Sequence, residues 1–294
     1  MLGLAIATFQ QPLTAHKTIT RLSTLSTVRR YLASHTMTVP QHPGLSKIEI
    51  NVDCGEAFGN WAAGPDEELM PMIDVANVAC GGHAGSPVIM KRTVDLAKKF
   101  GVKVGAHPGF PDKAGFGRRV LQMNSEEAYT EVLYQVGALK TFLDVTGMPL
   151  NHVKPHGMLY IMMQSDETMC DAAMRAIKHF DVPVYGLPGT LHETLAAKYN
   201  IPFIPEAFVD VNYSSDGVLL GVPGSRKMST EEIHDVTKQL GKEGVLPSVD
   251  HKLIDVGVGK KPFTLCLHSD FATCRENIAA ARKAVDAVNQ ELYA

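Results

Sequence analysis

The sequence predicts an α/β protein whose parallel sheet, wrapped by helices, closes into a β/α barrel rather than remaining open. Three observations predict it. From residue 47 onward, short apolar runs closed by Gly, Pro or Asp alternate with longer helical stretches, the rhythm of parallel β/α units. The first run, "KIEINVD", puts Ile48, Ile50 and Val52 on one face and Glu49, Asn51 and Asp53 on the other. An apolar outer face suits packing against helices, and a polar inner face suits a barrel mouth. Finally, chemically capable residues recur where the runs end: Asp53, His83, His107, His156, Glu206, and His268 with Asp270. In α/β barrels, active sites are assembled from the C-terminal ends of several strands.

The chain begins with a segment unlike the rest. Residues 1–46 read as a separate, disordered leader: Ser- and Thr-rich, with Lys17, Arg21, Arg29 and Arg30 and no acidic residue before Glu49. That is the composition of an organellar transit peptide. A mitochondrial location follows if the leader is one, and a cytoplasmic location otherwise; Met37 offers an alternative start. Residues 47–294 form a single domain. Its seven strand candidates are 47–53, 74–82, 102–109, 151–157, 182–189, 201–208 and 263–270. Between the second and third lies "SPVIMKRTVDLAKKFG", where Ser86 caps, Pro87 takes the first helical position and Gly101 ends the helix. "NSEEAYTEVLYQVGALKTFLDVTG" is a second helix, with Ser125 as its cap and Val132, Val136, Leu139 and Leu143 spaced for one buried face.

Composition narrows the function. The formal charge is −3, and no Lys/Arg stripe is interleaved with aromatics, so the electrostatic footprint of a nucleic-acid binder is missing. A small molecule is the expected ligand. Five scattered cysteines without a C-x-x-C pair read as reduced thiols in an intracellular protein. No apolar run reaches the length of a membrane-spanning helix.

"NHVKPHG" carries the densest alternation, with His152, Lys154 and His156 at every second position. In a strand, all three project to one side of the sheet. His156 at the strand end is a candidate for chemistry, while His152, deeper, reads as a satisfied interior residue or one that orients others. "GAHPGFPDKAGFGRR" places His107 at a strand end, then a Gly/Pro loop and Arg118–Arg119, able to meet an anion with backbone N–H groups and a guanidinium. No G-x-x-x-x-G-K-[ST], G-x-S-x-G or H-E-x-x-H segment is present. What remains is acid–base chemistry or a metal.

"INVDCGEAFG", "ANVACGGHAG", "GAHPGFPDKAGFGRR" and "HVKPHGMLY" together resemble the four signature blocks of the LamB/YcsF family, in order, across nearly all of the domain. The resemblance implies a seven-stranded β/α barrel like that of the glycoside hydrolase and deacetylase superfamily. It also implies an amidohydrolase that opens a small lactam, 5-oxoproline to glutamate, with ATP handled by 5-oxoprolinase partner subunits. The family pattern falls on Asn51, Asp53, Glu56, His83, His107, Asp112, Arg118, Lys154 and His156, and downstream on Glu206, Asp210, Tyr213 and Asp216. It departs at Val211, where the family has Arg, and at Ser269 of "HSD", where the family has Gly.

On this reading Asp53, His107, Lys154 and His156 are catalytic: Asp53 or His107 activates water, and Lys154 and His156 stabilise the oxyanion or protonate the leaving nitrogen. Asn51, Glu56, Asp112, Arg118, Glu206, His268 and Asp270 bind substrate, with Arg118 on a carboxylate or phosphate. The alternative is a deacetylase of an N-acetylated carbohydrate or related amide, using a divalent metal on Asp53, His83 and His107. A third reading is a non-catalytic binding protein that uses an inherited pocket.

Overall fold

The computed structural model describes residues 44–294; the leader and the Met37 start lie outside the described residues, apart from the last few residues before the first strand. Six parallel strands form the main sheet: β1 (Glu49–Cys54), β2 (Val75–Ala79), β3 (Lys103–His107), β4 (Val184–Gly186), β5 (Phe203–Phe208) and β8 (Thr264–Leu267). Their spatial order is β3-β2-β1-β8-β5-β4. Two further strands, β6 (Val245–Pro247) and β7 (Leu253–Asp255), pair antiparallel in a small separate sheet that the sequence pattern did not suggest.

The expected strand at 151–157 is not a regular strand. Val153 alone forms parallel bridges, to Ala106 on one side and Val184 on the other. Pro155 explains the brevity: it has no N–H for the ladder. The local backbone nonetheless keeps strand-like bonds, since Lys154 N donates to Ala106 O (2.9 Å) and Val153 N donates to Pro183 O (2.9 Å). Alternation is therefore preserved, and His152, Lys154 and His156 do point to one side.

Helices surround the sheet: α1 (Asp66–Leu69), α2 (Pro87–Phe100), α3 (Ser125–Thr146), α4 (Gly157–Met163), α5 (Glu167–Ile177), α6 (Leu191–Lys198), α7 (Gly221–Gly224), α8 (Thr230–Glu243) and α9 (Cys274–Leu292). The α2 signals hold: Ser86 Oγ accepts from Ile89 N, Pro87 opens the helix and Gly101 closes it at φ 70°. The cap of α3 is one residue earlier than expected. Asn124 Oδ1 accepts from Glu126 N and Glu127 N, and the Glu127 carboxylate reaches back to Asn124 N, so Ser125 becomes the first helical residue. Val132, Val136, Leu139 and Leu143 are buried on one face as their spacing requires.

The two faces of β1 separate as predicted. Ile48, Ile50 and Val52 join the main hydrophobic cluster, while Asn51 and Asp53 face the polar interior described below. All five cysteines are buried and unpaired, and no described helix is long and apolar enough to cross a membrane.

Candidate active site

The floor of the site is a buried polar network built by inward-facing strand residues. Parallel register sets Asn77 on β2 beside Asp53 on β1. Asn77 Nδ2 donates to Asp53 Oδ1 (2.8 Å) and Asn51 Oδ1 (2.7 Å), while Asn51 Nδ2 donates to Glu206 Oε1 (2.9 Å) and Thr264 Oγ1 (2.8 Å). Lys154 Nζ completes it, 3.1 Å from Asp53 Oδ1, 3.2 Å from Glu206 Oε1 and 3.0 Å from Asn51 Oδ1. Tyr160 on α4 donates its hydroxyl to Glu206 Oε2 (2.7 Å). His152 sits beneath, stacked on Tyr185 and bonded through Nε2 to Asn77 Oδ1 (2.8 Å). It is the satisfied interior residue its depth suggested.

Burial works against every charge here, and the partners decide the outcome. Burial pushes the Asp53 carboxyl up, but His107 and Lys154 together hold it well below the usual carboxylate range. Burial pushes Lys154 down, but Asp53, Cys266 and Glu206 hold its ammonium well above the ordinary lysine value. The floor thus carries a fixed cation beside a fixed anion at the cavity.

Above it, His107, His156, Glu56 and His83 come together, the His107 ring meeting the other two rings edge-on. A backbone carbonyl can only accept, so the bond from His107 to Lys154 O (2.7 Å) puts a proton on Nδ1. The bond from His156 to Phe116 O (2.9 Å) likewise puts one on Nε2. The remaining nitrogens, His107 Nε2 and His156 Nδ1, face each other at 2.9 Å and need one proton between them. Asp53 Oδ2 stands 3.2 Å from His107 Nε2, so the anion for that proton is at hand. His83 Nε2 lies 3.0 Å from Glu56 Oε1, and its ring stacks on His156 with centroids 3.6 Å apart. Burial, then Asp53 and Asp270, raise the Glu56 carboxyl well above its ordinary value. Burial and the neighbouring rings push His83 and His156 down, toward neutrality.

Two ion pairs form the rim. Arg118 bonds Asp270 in a bidentate fork, at 2.6 and 3.1 Å. His268 Nδ1 lies 3.0 Å from Asp210 Oδ1, and although burial lowers its basicity, Asp210 more than restores it. A cavity of about 150 Å³ opens between floor and rim. Asp53, His107, Lys154, His156, Arg118 and His268 line it, together with apolar side chains that include Phe208, Val211, Leu219 and Val222.

Most of the expected residues therefore converge, though not all at the cavity surface. Asn51 and Glu206 belong to the floor network, Glu56 stands behind His156, and Asp270 stands behind Arg118. Asp112 does not line the cavity: its carboxylate accepts from Gly115 N (2.9 Å) and binds Arg119, capping the loop that carries Arg118. The metal set Asp53, His83 and His107 is also revised. Among the described residues, the groups able to hold an ion are Glu56 with His83, His107 and His156, and Asp53 with Cys266 and His268. Sequence reasoning missed Asn77, Tyr160, Thr264 and Cys266. Asn77 was legible as a lone polar residue within "VANVA", at the register position beside Asp53; Tyr160 sits on a helix, where strand parity gives no signal.

A curled parallel α/β sheet with ionisable side chains gathered at the C-terminal ends of its strands defines an α/β protein of enzyme type. Residues 48–294 match the LamB/YcsF family, and the chain belongs to it. The lactam utilization protein lamB of Emericella nidulans is 43% identical over 249 residues, 85% of this chain and 98% of the relative. A 5-oxoprolinase subunit of Thermus thermophilus is 41% identical over 252 residues, 84% of this chain and 99% of the relative. The crystal structure of the lactam utilization protein from Thermus thermophilus superposes with a TM-score of 0.75 at 40% identity, over 83% of this chain and 97% of that one.

Proposed function

We propose that this chain is an amidohydrolase that opens the ring of 5-oxoproline to give glutamate, working with partner subunits that handle ATP. Family membership gives it a lactam-related role; the cavity supports the particular substrate. Arg118 and Lys154 line that cavity as cations, with His268 beside them and Asp53 as the lining carboxylate, next to apolar side chains. The counter-ions Asp210 and Asp270 lie outside the lining. A small ring with one carboxylate and a row of methylenes matches this distribution: carboxylate toward Arg118 and His268, methylenes toward Phe208 and Val211, carbonyl oxygen toward Lys154.

In this reading Asp53, held by His107, takes a proton from water as its oxygen bonds to the activated carbonyl carbon, and Lys154 stabilises the negative charge carried on the carbonyl oxygen and its phosphate. The ring C–N bond then breaks, and the proton passes to the leaving nitrogen. An unactivated five-membered lactam resists net hydrolysis, so phosphorylation of its carbonyl oxygen, with release of ADP, is the role assigned to ATP; ring opening then leaves an acyl phosphate, which a second water hydrolyses to glutamate and phosphate. The chain carries no P-loop segment, which fits a division of labour between subunits. We also read the curled sheet as a seven-stranded barrel, because Val153 bridges β3 and β4 at once.

The test is glutamate formation from 5-oxoproline by the purified protein with MgATP and candidate partner subunits. Glutamate that requires this chain, ATP and the partners is the expected result. Saturable binding of 5-oxoproline without glutamate in any combination would favour the non-catalytic reading.

A further inference from the structure

Glu56, His83, His107 and His156 are all buried, and each offers a donor atom within 4.8 Å of the others. Beyond proximity, the hydrogen bonds sort them. His107 and His156 each spend one N–H on a backbone carbonyl, Lys154 O at 2.7 Å and Phe116 O at 2.9 Å. That leaves His107 Nε2 and His156 Nδ1 facing inward, 2.9 Å apart. A distal N–H fixed by a carbonyl with the proximal lone pair turned inward is how imidazoles are held when they ligate a metal.

Glu56 Oε1 lies 3.4 Å from His156 Nδ1. Bonds of about 2.0–2.1 Å to a tetrahedral ion imply donor–donor edges of roughly 3.4 Å, so the His156–Glu56 edge matches at 3.4 Å and the His107–His156 edge, at 2.9 Å, is somewhat short of it. His83 is different. Its ring is parallel to His156, at 6° and 3.6 Å, and two stacked rings cannot both aim in-plane lone pairs at one ion. Its Nε2 instead lies 3.0 Å from the Glu56 oxygen and orients it.

We propose that Glu56, His107 and His156 form a three-ligand site for a divalent transition metal of the zinc class, with His83 positioning Glu56. Two imidazoles favour such an ion over calcium or magnesium. His107 and His156 line the cavity and Glu56 does not, so the ion would sit at the cavity wall. It would take the place of the proton those two rings otherwise share. The site stands on geometry alone, independently of the lactam reading.

The experiment is zinc titration of chelator-treated full-length protein by calorimetry, with stoichiometry checked by metal mass spectrometry, followed by cobalt substitution. One zinc per chain is expected. Glu56→Gln and His156→Ala should weaken binding more than about a hundredfold, and His83→Phe, which keeps the stacking, about 10–100-fold. Asp53→Asn should keep 1:1 binding. The cobalt form of the unmodified chain should show the visible bands of a four-coordinate nitrogen and oxygen site. Absence of stoichiometric zinc, unchanged affinity in folded Glu56→Gln and His156→Ala, or a thiolate-to-cobalt charge-transfer band pointing to Cys266 would each overturn the proposal. Because the readout is binding, a failed lactam assay leaves it standing.

Discussion

Replacing Lys154 with Met tests the electrostatic logic of the floor. The ammonium lies 3.1 Å from one Asp53 oxygen and 3.2 Å from one Glu206 oxygen, all three groups being buried. At an effective dielectric of about 20, each contact is worth roughly 5 kcal/mol in gross Coulomb energy, much of which offsets the desolvation of the ions. Met keeps most of the volume but leaves two carboxylates without their cation, and breaking a buried pair from one side costs about 3–5 kcal/mol. For a domain of this size, that is a fall in Tm of roughly 6–20 °C. The pH dependence carries the diagnosis. In the native protein Asp53 is held below its unfolded value, so its contribution is present above the unfolded pKa and lost as pH falls through the folded one. Without Lys154 that depression weakens and burial favours the protonated acid, so the deficit of Lys154→Met should shrink between pH 8 and pH 5.5. Urea unfolding followed by circular dichroism at both pH values measures it, and adding Asp53→Asn should recover about 1–3 kcal/mol through coupling. A loss below about 1 kcal/mol that is equal at both pH values would refute the assignment of Lys154 as the counter-ion of the floor.

Three further outcomes follow from particular contacts. Asp210 raises the His268 pKa, so the pair's stabilisation is complete below the unfolded histidine value and lost as pH rises through the folded one; Asp210→Asn should lower the pKa read by NMR titration and cost most stability on the acid side. A Cβ at Gly105 would collide with the His152 ring, which Tyr185 blocks from behind, so Gly105→Ala should destabilise by about 1–3 kcal/mol in thermal or urea melts. Arg118→Gln should raise KM for a carboxylate-bearing lactam by roughly 10–100-fold, the worth of a charge-assisted hydrogen bond, and leave 2-pyrrolidone, which lacks the carboxylate, within about threefold.

The strand ends were legible because each is a local event. Asp53, His107 and Lys154 sit at inward parity, and parity is written in the sequence with a period of two. Even at 151–157, where Pro155 prevents a regular strand, parity predicted which side chains meet. What escaped has no such local signature. Asp112 was placed at the substrate because the family pattern falls on it, yet its bonds are to Gly115 and Arg119 in its own loop. Asp210 and Asp270 become counter-ions only when two loops meet, and neither distance nor order in sequence shows which cation each will hold. The grouping of possible metal donors escaped for a related reason: which His107 nitrogen faces inward is fixed by the Lys154 carbonyl, a bond that no sequence pattern displays.

That bond also links stability to chemistry. Lys154 uses its side chain to hold Asp53 ionised and its own carbonyl to fix the His107 tautomer, so one residue sets both the charge of the proposed base, Asp53, and the orientation of the ring beside it. Its two tasks have different sensitivities. A side-chain substitution removes the ammonium but keeps the carbonyl, so in Lys154→Met His107 Nδ1 should remain protonated while the anion beside Nε2 becomes easier to protonate. The variant that loses the cation therefore separates orientation from electrostatics. If turnover falls at least a hundredfold while the NMR signature of the Nδ1-protonated His107 ring persists, the charge is what the reaction needs. If the tautomer is lost as well, the floor and the histidine cluster act as one cooperative unit, and roles can be assigned only to the pair.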